Sequence, residues 1–108
     1  MALSKKTLPK KIRSHVKRYV AILKKNNIPI QKAFVYGSYA KGTAHKWSDI
    51  DVCIVSPKFV NTWSAIEYLW AHRPFDVRYT IEPIGFSPKD FHDGSSLVDE
   101  IKRTGVKV

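Results

Sequence analysis

The sequence predicts an α/β (α+β) fold, a small mixed β-sheet with helices packed on one face. Two observations predict it. Apolar residues recur at three- and four-residue spacing in some stretches and alternate or run together in others. Those stretches follow one another as helix, strand, loop, strand, helix, strand, helix, an order that forms a sheet with helices laid on it. The length agrees, since 108 residues suffice for a single domain, here residues 1–108, and leave no room for a second.

Residues 1–8 show no periodicity and are expected to form a flexible tail. Pro9 suits the first turn of a helix. Beyond it Ile12, Val16, Tyr19, Val20 and Leu23 form an apolar stripe, and Asn26-Asn27 with Pro29 end the helix. A first strand is expected over about Ile30 to Tyr36, broken by Gly37-Ser38, and Ser38 to Lys41 can form one helical turn. Gly42 to Trp47 reads as a loop. A second strand runs from Asp49 to Val55 and stops at Ser56-Pro57. A helix from Thr62 to His72 carries Trp63, Ile66, Leu69 and Trp70 on its apolar side, with Asn61 or Thr62 as its cap. Strict alternation from Phe75 to Glu82 predicts a third strand, with Asp76, Arg78, Thr80 and Glu82 on one face. Ser87-Pro88 opens a short helical turn, and Ser95 or Ser96 caps a last helix from Leu97 to Arg103.

The chemistry concentrates between Phe34 and Val55, in FVYGSYAKGTAHKWSDIDVCIV. Side chains alternate along a strand, so Asp49 and Asp51 share one face while Ile50, Val52 and Ile54 take the other. Two carboxylates side by side repel unless a proton or a cation sits between them. Two oxygen ligands with open positions suit Mg²⁺, which completes its octahedron with water and phosphate oxygens. A bare DxD is more often a pair of solvated aspartates. Here it follows Gly37-Ser38 by ten intervening residues, and a Gly-Ser between strand and helical turn presents backbone N–H groups to a phosphate.

Gly37-Ser38, ten residues and Asp49-Ile50-Asp51 resemble the signature of the DNA polymerase beta-like nucleotidyltransferase superfamily. Gly42 and Ser48 belong to the same pattern, and the short length resembles the minimal nucleotidyltransferases. The resemblance implies a polymerase beta-like palm fold and two Mg²⁺ ions, with Mn²⁺ as the substitute cation. It implies that Asp49 and Asp51 ligate both metals and that a third carboxylate on the next strand ligates one. Asp76-Val77-Arg78 resembles the Asp-x-Arg form found there, so Asp76 is the expected third ligand. An ion pair between Asp76 and Arg78 is the plainer alternative. Glu82 shares the strand face but lies six residues on, about 20 Å at ~3.3 Å per residue, and stays open as the other choice. Gly37 and Ser38 would hold the β- and γ-phosphates, with Lys41, Ser48 and Arg78 as further phosphate-binding residues. The implied reaction moves AMP from ATP to an acceptor hydroxyl and releases pyrophosphate.

A domain this short has no separate acceptor-binding module. The resemblance therefore implies a partner, a small helical HEPN-type protein that an antitoxin of this kind modifies. Two alternatives stay open: an antitoxin acting by contact alone, and a basic nucleic-acid-binding domain or RNA-directed nucleotidyltransferase. The net charge of +10 bears on both, because the first 32 residues hold ten Lys and Arg and no acidic residue. That basic face reads as a docking surface or as plain solvated surface. No apolar run approaches the ~18–20 residues of a membrane span, and the lone Cys53 excludes an internal disulfide. A cytoplasmic protein without membrane attachment is expected. His15, His45, His72 and His92 show no ligand spacing.

Overall fold

In the computed structural model residues 8–45, 47–76 and 78–108 are described, the side chains of Thr62 and Trp63 excepted. Lys10–Lys25 form helix α1, which buries Ile12, Val16, Tyr19 and Leu23 along one stripe. Its end is set by Asn27, whose φ of 66° is left-handed, and by the Ile28 N–H donating to Leu23 O at 3.1 Å. Strand β1, Lys32–Tyr36, runs into the single turn α2, Ser38–Lys41, and strand β2 spans Ile50–Val55. Helix α3, Thr62–Ala71, is capped by Asn61, whose side chain accepts from the Ser64 N–H at 2.8 Å. Strand β3, Ile81–Phe86, leads to α4, Pro88–Asp93, and α5, Ser96–Thr104, whose caps are Ser87 and Ser95. A two-residue strand β4, Val106–Lys107, ends the chain's regular structure.

The sheet order is β3-β2-β1-β4. Strands β2 and β3 are parallel, as a connection through a helix requires, and the other two pairings are antiparallel. The expected mixed sheet is therefore present. Its first face packs Ala33, Val35, Ile50, Val52, Ile54 and Ile81 against α1 and α3. Tyr19 crosses this layer and donates its hydroxyl hydrogen to Leu69 O at 2.5 Å, which satisfies a polar group in an apolar core. Gly85 lets α3 come close: a Cβ there would lie 2.8 Å from a Phe59 ring carbon and 3.0 Å from Leu69 Cδ1. Gly85→Ala is expected to cost about 1–3 kcal/mol by overpacking, read as a lower denaturant midpoint at unchanged slope.

The second face is apolar only along part of its length. Cys53 and Val55, flanked by Phe34, Ile84 and Phe86, are covered by Phe91 of α4 and by Val98 and Ile101 of α5. Helices thus lie on both faces, α1 and α3 on one and α4 and α5 on the other, where the sequence placed them on one face only. The alternating residues of β1 and β2 are apolar on either side here, and each side needs cover. At the other end the second face carries Tyr36, Asp51 and Glu82 and is left more open.

Two further expectations fall differently. Leu8, placed in the tail by its sequence, is 8% exposed and joins the core, while residues 1–7 lie outside the described residues. The third strand does not span Phe75 to Glu82; it starts at Ile81 and runs through Pro83 to Phe86. Pro83 is tolerated because β3 is an edge strand, where a missing N–H costs no ladder bond. Among the described residues no helix is long and apolar enough to cross a membrane.

Candidate active site

Strand register decides which carboxylates meet. Tyr36 at the end of β1 pairs with Asp51 at the start of β2, and Asp51 pairs with Glu82 at the start of β3. Neighbouring strands are ~4.8 Å apart, so Asp51 and Glu82 stand side by side on the open part of the second face. Asp49, one residue before β2, completes the group, close enough to Glu82 for its side chain to raise that carboxyl.

The electrostatics follow from this crowding. Glu82 is pushed above the ordinary carboxylate range, first by its hydrogen bond to Asp49, then by burial and the charges of Asp49 and Asp51, against a smaller opposing pull from Arg73. Burial, and then the charge of Asp49, raise Asp51. Tyr36 is raised by burial first and by the carboxylates around it. Among the described residues no Lys, Arg or His forms an ion pair with Asp49, Asp51 or Glu82. An acidic cluster whose members repel one another is a donor set for a hard divalent cation. No three such side chains are drawn into one coordination sphere among the described residues.

Gly37 forms the wall behind Asp51. Its φ is +74°, a region that side chains rarely enter, and a Cβ on it would overlap Asp51 Oδ2. The backbone then turns into α2, whose first N–H groups have no partner within the helix. Lys41 N donates to Gly37 O at 3.0 Å and Thr43 N to Ser38 O at 2.9 Å, which fixes the turn. Gly37→Ala is expected to shift Asp51, and a crystal structure of the variant would read the displacement.

The remaining sequence candidates divide. Ser48 works within its loop: its hydroxyl accepts from the His45 N–H, and its own N–H donates to His45 O, both at 2.9 Å, just ahead of Asp49. Lys41 reaches Glu100 at 3.7 Å and is partly exposed. Asp76 and Arg78 are not brought to the carboxylates. They lie before β3, beside α1; Asp76 Oδ1 accepts from the Arg78 N–H at 2.8 Å and is 4.0 Å from Arg78 Nε. That hydrogen bond, more than any charge, holds the Asp76 carboxyl below its ordinary range. The structure thus places Glu82, and not Asp76, beside Asp51.

Two residues escaped the sequence reading. Tyr36 was hidden inside an apolar run, though its place directly before Gly37 was a signal. Arg73 follows α3, where it donates to Trp70 O and Ile81 O, both at 3.2 Å, and lies over the Trp70 ring at 4.2 Å. A cation just past a helix C-terminus is the signal that could have found it. Trp70 itself is 40% exposed, its indole N–H donating to Pro83 O at 3.2 Å. Cys53 is no nucleophile, since burial pushes its thiol up to about 12.

A family model described as a nucleotidyltransferase domain matches residues 16–106. Among solved structures, a Sulfolobus solfataricus protein described as a candidate nucleotidyltransferase superposes with a TM-score of 0.64 at 15% identity, over 90% of this chain and 78% of the other. A toxin–antitoxin solved with AMP-PNP superposes with a TM-score of 0.52 at 20% identity, over 84% and 69%. At these identities the likeness is one of fold. No curated protein matches the chain significantly.

Proposed function

The chain belongs to the nucleotidyltransferase domain family, and from that premise we propose that it transfers AMP from ATP to a hydroxyl on a protein partner, as the antitoxin of a toxin–antitoxin pair. The observation that carries the chemistry is the register that sets Glu82 beside Asp51, with Asp49 close by. The fold shared with a toxin–antitoxin solved with AMP-PNP supports the partner and the nucleotide. A small helical HEPN-type protein is the partner proposed.

Asp49, Asp51 and Glu82 would hold two Mg²⁺ ions, or Mn²⁺, which when bound neutralise charge on the attacking and leaving oxygens of an in-line displacement. The turn at Gly37 and Ser38 binds the β- and γ-phosphates through backbone N–H groups and the serine hydroxyl, and so orients the α-phosphorus. Glu82 accepts the proton of the acceptor hydroxyl as the new ester bond forms. The bond to pyrophosphate breaks in the same displacement.

Co-purification with the partner, followed by intact-mass measurement after ATP and Mg²⁺ are added, tests the proposal. A nucleotide-sized increase on the partner is expected; repeated absence of any increase argues against it. Cation binding has its own readout. Mg²⁺ or Mn²⁺ at a hundred times its Kd is expected to stabilise the wild-type fold by about 2.7 kcal/mol, and not the Asp49→Asn variant, as measured by thermal unfolding.

A further inference from the structure

The basic face of α1 is not used by the chemistry above, and it does not stand alone. With the segment that precedes β3 it encloses an open cleft of about 430 Å³. Lys10, Ser14 and Arg18 recur every four residues along the helix and Lys11 lies beside them, so one stripe of α1 lines the cleft over about 12 Å. Arg78 and Tyr79 line it as well. Tyr79 is tied to α1, because buried His15 hydrogen-bonds Tyr79 O through Nε2 at 3.0 Å.

Charge in the cleft is one-sided. Its single carboxylate, Asp76, is engaged by Arg78. Among the described residues Lys10, Lys11 and Arg18 have no ion-pair partner, and all three are exposed. Flat rings accompany the cations: the Arg78 guanidinium sits 5.8 Å from the Tyr79 ring, and Phe75, next to Asp76, is 90% exposed. Cations along a groove with aromatic rings beside them are what single-stranded nucleic acid requires, phosphates meeting Lys and Arg while bases stack. An acidic peptide would use the cations and leave the rings idle.

We propose that this cleft binds the phosphodiester backbone of single-stranded nucleic acid. It adjoins the carboxylates across the start of β3: Tyr79 faces α1, Glu82 faces the other side, and Thr80 O accepts from the Ile50 N–H at 2.8 Å between them. This inference does not depend on the proposed AMP transfer, and binding alone tests it.

The experiment is fluorescence anisotropy with the full chain, a labelled twelve-nucleotide RNA, the matching DNA and a poly-glutamate peptide of equal charge, each from 50 to 200 mM salt. Four phosphate contacts predict a log–log slope of about −2.8 for single strands, a loss of about 50-fold across that range. Arg18→Ala with Arg78→Ala removes two contacts and is expected to halve the slope, cutting the loss to about 7-fold. Lys10→Ala with Lys11→Ala is expected to do the same. All four side chains are exposed, and far-ultraviolet circular dichroism of each variant checks that the fold is kept. Tighter binding of RNA or of DNA tells which polymer is the ligand, and either result supports the cleft. Absence of oligonucleotide binding at 50 mM salt, an unchanged slope in both double variants, or peptide binding as tight as oligonucleotide binding overturns it.

Discussion

Asp51→Asn is expected to lower the rate of nucleotide transfer by about 10³-fold, the equivalent of several kcal/mol of lost transition-state stabilisation. Asp51 is half-buried between Tyr36 and Glu82 in the strand register and lies against Gly37, so no neighbouring carboxylate can take over its position. The loss will not come from unfolding. A carboxyl whose folded pKa is raised contributes stability at pH values below its unfolded pKa, and that contribution is lost as pH rises through the folded value. Asp51 is such a group. At neutral pH its charge works against the metal-free fold, and an uncharged Asn removes that cost. The variant is expected to melt no lower than the wild type without divalent cation, and to lose the stabilisation that Mg²⁺ gives. Lower melting in metal-free buffer would show that Asp51 supports the fold.

The second large effect separates two carboxylates that the sequence leaves in competition. Glu82→Gln keeps the shape of the side chain and removes its charge. It is expected to reduce transfer by about 10²–10³-fold, the scale of losing one positioned electrostatic group in a closed site. Asp76→Asn, in contrast, is expected to change transfer by less than about 10-fold. Asp76 accepts the Arg78 N–H two residues away, on the α1 side of the molecule. Its Asn replacement can accept the same hydrogen bond.

The uneven legibility of the site has a physical cause. Gly37, Ser38, Asp49 and Asp51 could be read because their spacing is local: one strand, one turn and one returning strand bring them together whatever the rest of the chain does. The third carboxylate depends on the register of a parallel pair joined through α3, and no local pattern encodes that register. Residues 75–82 alternate as a strand should, yet the ladder forms over Ile81–Phe86, through a proline and a glycine that break the expected pattern. An edge position and the tight approach of Phe59 and Leu69 explain both residues only once the sheet is seen. Helix α1 was plain in its stripe and its Asn26-Asn27 stop, and the serine caps of α4 and α5 were plain as well. Strand β4 has two residues and owes its existence to pairing with Phe34 and Val35, so it carries no signal of its own.

The most direct test of the account is a single-turnover assay with α-labelled ATP, Mg²⁺ and the co-purified partner, run on Glu82→Gln and Asp76→Asn in parallel. The account predicts that label transfer collapses in Glu82→Gln and stays within about 10-fold of wild type in Asp76→Asn. Collapse in Asp76→Asn with transfer kept in Glu82→Gln would contradict it.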